Sequence, residues 1–84
     1  MFELPESDVE YWRQRLRQEA PSKVLREMAA RYSVGRSAIG LVLPDLGGDV
    51  RTAEVQAVWT WDIAGTVAGL TDEGLNDALK DVQF

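Results

Sequence analysis

Eighty-four residues are enough for one domain and one modest core, and a chain this short buries only roughly 60% of its unfolded surface. Histidine and cysteine are both absent, which removes imidazole and thiolate metal ligands, disulfides, a thiol nucleophile and any base that titrates unaided near neutrality. Forty-five per cent of the residues are hydrophobic, so the chain can fold, and its net charge of −5 is unevenly spread. Residues 1–40 carry seven basic and six acidic side chains, a balance of +1; residues 41–84 carry two basic and eight acidic ones, a balance of −6. An acidic half repels nucleic acid and draws basic protein surfaces. No apolar run approaches the roughly 18 residues of a membrane span, and the N-terminal residues are acidic where a signal peptide is basic. A cytoplasmic location is the expectation.

The first predicted element is "LPESDVEYWRQRLRQEA". Ser7 with Glu10 three residues on has capping-box spacing, and Val9, Trp12 and Leu16 form an apolar stripe that ends before Pro21. Trp12 is expected in the core. "PSKVLREMAARYS" follows, with Ser22 as N-cap, Val24, Leu25, Met28 and Tyr32 facing inward, and an end near Ser33 to Gly35. In "RSAIGLVLPDL", Ile39, Val42, Leu43 and Leu46 again recur at helical spacing. Pro44 biases Leu43 away from the helical region, so this helix should be short, or the segment a buried strand. "DLGGD" marks a loop.

Two periods compete in "DVRTAEVQAVWTWDIAG". Ala53, Val55, Ala57, Trp59, Trp61 and Ile63 alternate with polar residues as on a strand. A helical stripe of Val50, Ala53, Ala57, Val58 and Trp61 fits as well, with Asp49 or Thr52 capping its start. A two-stranded sheet with open edges is unstable alone, which favours a helix over 52–63. On a helix Trp59 and Trp61 point roughly 200° apart, so one of them, Trp61, is expected inside and Trp59 partly exposed. "LTDEGLNDALKDVQF" closes the chain: Thr71 is the N-cap, Asp72 and Glu73 sit in the first turn, and Leu70 and Leu75 form a hydrophobic staple. The whole chain, residues 1–84, therefore reads as one all-α domain, an irregular bundle of four to five short helices.

Catalysis has little to work with. No serine has a histidine, or a lysine three residues on, to activate it, and 84 residues hardly build the deep cleft a carboxylate pair needs. Asp45 and Asp49 flank Gly47 and Gly48 without the spacing of a calcium loop, and no Gly-rich phosphate motif is present. The sequence points to no enzyme, no metal and no cofactor.

Two resemblances remain. "VLREMAARYSVGRSAIGLVL", residues 24–43, resembles the helix-turn-helix of bacterial regulators: Ala29 or Ala30 lies mid-way along its first helix, a turn falls at "RYSVGRS", and Ile39 anchors the second helix. Ser33 and Gly35 are interchanged relative to that motif, and Arg36 and Ser37 are almost the only base-reading side chains. Such a module would use Arg31 and Arg36 on DNA, where phosphate contacts supply most of the affinity, and a chain of pI 4.5 supplies them poorly. Over residues 24–82 the order of elements, with "LREMAARYS", "VQAVWTWDIAG" and "LTDEGLNDAL", resembles small acidic immunity proteins that neutralise bacterial toxins. That resemblance implies a non-catalytic protein covering a toxin's basic active site. Its partner-binding residues would be Trp59, Asp62, Asp45, Asp49, Asp72 and Glu73, an aromatic anchor among carboxylates. A self-associating structural subunit is the third reading, since an exposed indole also suits a homodimer.

Overall fold

A computed structural model describes residues 2–66 and 68–84. Its helices are α1 (Glu6–Gln18), α2 (Pro21–Tyr32), α3 (Arg36–Leu46), α4 (Thr52–Trp59) and α5 (Asp72–Leu79). The first three pack on one another, α4 lies along α3, and α5 bridges α2 and α4. The bundle measures 34 × 27 × 22 Å. Among the described residues the only sheet-like pairing is a single parallel bridge between Trp61 and Leu70. The chain is all-α, as its periodicity predicts.

Three helix starts use caps other than those the sequence suggests. At α1 the N-cap is Pro5, at φ −57° and ψ 132°, so Ser7 falls inside the first turn and caps nothing. At α2 the N-cap is Ala20 and Pro21 takes the first helical position, where its missing N–H would have had no helical partner anyway. Ser22 is buried instead, and its backbone N–H donates to Oδ1 of Asn76 at 2.8 Å, so a side chain of α5 satisfies the start of α2. At α4 neither Asp49 nor Thr52 caps: Arg51 holds the N-cap position, and Asp49 accepts from the backbone N–H of Gln83 at 2.9 Å. Only Thr71 behaves as expected, its hydroxyl accepting from the N–H of Gly74 at 3.0 Å.

Helix α3 runs on past Pro44 to Leu46, longer than the proline predicts. Leu43 and Leu46 are both fully buried, which anchors the last turn on either side of the proline. Arg13 of α1 completes it. Its guanidinium donates to the backbone carbonyls of Asp45 (2.9 Å) and Leu46 (3.2 Å), where the helix ends in unpaired acceptors and negative dipole.

Helix α4, by contrast, is shorter than the 52–63 span. It ends at Trp59; Thr60 turns at φ −98°, ψ 0°, and Trp61 leaves in an extended course paired with Leu70. The inward face is also rotated from the predicted stripe: Glu54 and Val58 are buried while Ala53 is exposed. The two indoles are divided as expected. Trp61 and Trp12 are core, and Trp59 is 41% exposed.

Candidate functional site

Trp59 occupies the last turn of α4 and leans against α3. Its indole N–H donates to the carbonyl of Ser37 at 3.2 Å, and its ring covers Gly40, where a Cβ would overlap the indole nitrogen. Glycine is what allows the two helices to approach so closely. Beside this contact Leu41, one residue beyond Gly40, is 50% exposed. Ser37, Gly40, Leu41 and Pro44 share one face of α3 by their spacing, and Val55, half-buried, shares a face of α4 with Trp59. The outer side of the α3–α4 pair is therefore an apolar seam with a fixed indole at one end. Leu41 escapes the sequence reading because it lies off the core stripe of Ile39, Val42 and Leu43. Its position off that stripe, as a large apolar side chain in line with Ser37 and Pro44, is the signal that could have found it.

The carboxylates expected to face the partner with the tryptophan are dispersed. Asp62, Asp72 and Glu73 do line one hollow, with Arg26, Gly65 and Thr71. Two of them hold the fold. Asp72 receives both terminal nitrogens of Arg26, at 2.8 and 3.0 Å, and the indole N–H of buried Trp61 at 2.9 Å. The Arg26 pair, with the Trp61 bond second, holds the Asp72 carboxyl down at about 2. Arg26 also stacks on the Trp61 ring, 4.9 Å from its centroid, and donates to the carbonyl of Ile63 at 3.0 Å. Arg36 closes the set by donating to the carbonyl of Trp61 at 2.8 Å. Asp62 accepts from the backbone N–H and hydroxyl of Thr66, at 2.9 and 3.1 Å, and so shapes the turn that follows α4. Glu73 is exposed at the start of α5.

Asp45 and Asp49 lie at the other end of the α3–α4 pair. Eight residues separate Ser37 from Asp45, about 12 Å along a helix axis. Asp49 is occupied with the chain's C-terminal segment through Gln83, and Asp45 has an exposed side chain on the last turn of α3. Trp59 and Asp45 thus mark opposite ends of the seam, while Asp62, Asp72 and Glu73 belong to a neighbouring hollow. Arg26 goes unnoticed in the sequence, where it reads as one more surface cation of α2. Nothing local marks it, because its partners are 37 and 46 positions away.

Comparison with family models, curated proteins and solved structures finds no match for this chain. The helix-turn-helix pattern nevertheless has a geometric counterpart. Ala29 is buried at the middle of α2, Ser33 takes the left-handed conformation at φ 54°, ψ 47° where that motif places glycine, and Ile39 is fully buried at the centre of α3. What differs is the face such a helix would present to DNA. Gly40 lies buried beneath Trp59, and Arg36 is turned to the carbonyl of Trp61. Among the described residues no group of three acidic side chains is placed to hold a metal ion, and no helix is long and apolar enough to cross a membrane. What the seam offers is contact area with a few polar groups at its edge.

Proposed function

We propose that this chain is a non-catalytic protein-binding module of the immunity or inhibitor kind, docking on a basic partner through the α3–α4 seam. The observation that carries the reading is the seating of Trp59: a large ring, 41% exposed, held in one orientation by its bond to Ser37 and by Gly40 beneath it, with half-exposed Leu41 alongside. A pre-organised aromatic anchor loses little freedom on binding, which is what makes such residues dominate interface energetics. The −6 balance of residues 41–84 supports a basic partner, because complementary charge accelerates encounter. Asp45 is the carboxylate best placed to contribute at the seam, whereas Asp62 and Asp72 act through the fold.

The test is titration against basic proteins drawn from the reading frames that flank this chain's gene. Trp59→Ala and Leu41→Ala should each weaken the complex by about 2 kcal/mol, roughly thirtyfold, with helical content unchanged. Absence of a complex, or a complex indifferent to both changes, refutes the reading.

The second reading, a DNA-binding regulator using residues 24–43, is favoured by the left-handed Ser33 and the buried Ala29 and Ile39. It predicts a duplex complex at physiological salt that is lost with Arg36→Ala in a gel-shift titration. The covered Gly40 and the sparse bases of α3 rank it below protein binding.

A further inference from the structure

A separate hollow of about 360 Å³ opens between α1 and α2, lined by Asp8, Tyr11, Trp12, Arg31 and Tyr32. Its size is within the range of small-ligand sites. The floor is aromatic and rigid. Buried Trp12 donates its indole N–H to the Tyr32 hydroxyl at 2.9 Å, and that hydroxyl donates to Oδ2 of Asp8 at 2.7 Å. Tyr11, 52% exposed, stands edge-on to Trp12 with centroids 4.9 Å apart, its hydroxyl held by Arg15 at 3.0 Å. Arg15 is itself neutralised by Glu19 and Glu27.

The two charges left over have opposite signs and do not pair. Oδ1 of Asp8 accepts no hydrogen bond from a described residue, and the Arg31 guanidinium makes none with any of them. Both line the same hollow as the Tyr32 hydroxyl. Burial, followed by the bond to Asp8, raises the Tyr32 pKa, so the phenol stays neutral and polarised toward the carboxylate. A lone cation here would meet Arg31, and a lone anion would meet Asp8. A molecule carrying both charges on groups bonded to one carbon meets neither penalty.

We propose that this hollow binds a free α-amino acid with an apolar side chain. Its α-carboxylate pairs with Arg31, where two parallel N–H donors suit two oxygens. Its α-ammonium pairs with Oδ1 of Asp8, and its side chain packs on the exposed ring of Tyr11, which stands on Trp12.

The probes are L-leucine, L-leucinamide and N-acetyl-L-leucine, which present both charges, the cation alone and the anion alone. The readout is the ¹H–¹⁵N indole resonance of Trp12 in the full chain. L-leucine should shift it saturably in the millimolar range, and each single-charge derivative should bind at least about tenfold more weakly, the cost of one charge-assisted bond. Asp8→Asn keeps an acceptor for Tyr32 while removing the charge, and Arg31→Gln leaves the aromatic floor untouched. Each variant should weaken L-leucine binding about tenfold or more without altering the circular dichroism spectrum. The proposal is overturned if L-leucine gives no saturable shift up to about 50 mM, a concentration that would reveal even very weak affinity. It is equally overturned if either derivative matches L-leucine, or if both variants bind it as the native chain does.

Discussion

Asp72 is the residue whose loss should be felt most widely, because one carboxylate serves a guanidinium and a buried indole together. Replacing it with alanine removes the Arg26 pair and leaves the Trp61 N–H inside the core without an acceptor. The pair is roughly half exposed (side chains 40% and 44%), so its contribution must be reduced for solvent screening. Lowering a carboxyl from 3.8 to about 2 corresponds to at most about 2.4 kcal/mol, and screening brings this to about 1 kcal/mol. The orphaned indole N–H adds about 1–3 kcal/mol. Asp72→Ala should therefore cost about 2–4 kcal/mol, whereas Asp72→Asn, which can still accept from Trp61, should cost about 1 kcal/mol. Urea unfolding followed by tryptophan fluorescence and by circular dichroism measures both. The pH dependence follows from the lowered pKa: this stabilisation is complete above the unfolded value near 4 and disappears as pH falls through about 2. Asp72→Asn should be correspondingly less sensitive to acid over that interval. Equal costs for the alanine and asparagine variants, or an alanine cost under about 0.5 kcal/mol, would refute the assignment of Asp72 as a structural acceptor.

Three further outcomes can be checked on the isolated chain. Gly40→Ala places a Cβ against the Trp59 ring, so the indole should leave its seat; we expect a red-shifted emission from Trp59 and a loss of about 1–3 kcal/mol. Glu54 is buried with Oε2 lacking a hydrogen-bond partner among the described residues, and Arg51, which bonds its other oxygen, is 78% exposed; Glu54→Met should stabilise the chain by about 1 kcal/mol in urea unfolding. Ser33→Gly relieves a left-handed residue and should raise the thermal midpoint by a few degrees, reflecting about 0.5–1 kcal/mol, while Ser33→Val should lower it.

How far the sequence carries depends on whether the decisive interaction is local. Thr71 and the inward face of α2 are legible because periodicity and capping act within one or two turns. Ser7 and Ser22 mislead because Pro5 and Pro21 already set the entry to each helix, leaving each serine two positions past the N-cap. Pro44 misleads for the opposite reason: buried Leu43 and Leu46, with Arg13 on the terminal carbonyls, outweigh a propensity that is real in isolation. The candidate site was half visible. The division of Trp59 from Trp61 is legible, although it arises because α4 ends at Trp59 and not from two faces of one helix; the commitment of Asp72 to Arg26 needs two helices and a loop to be docked first, and no spacing encodes that. Asp62 likewise reads as a partner-facing charge when its nearest task is the turn to Thr66.

The single rung between Trp61 and Leu70 changes how the segment after α4 should behave. The N–H of Asp62 donates to the carbonyl of Leu70, and the N–H of Leu70 to that of Thr60, both at 2.8 Å. Two amides in a stretch without helix or sheet are thus locked across a buried indole, and their deuterium exchange should be as slow as that of the core helices. Opening this segment would require extracting Trp61, so its release and the unfolding of the whole chain should be one event.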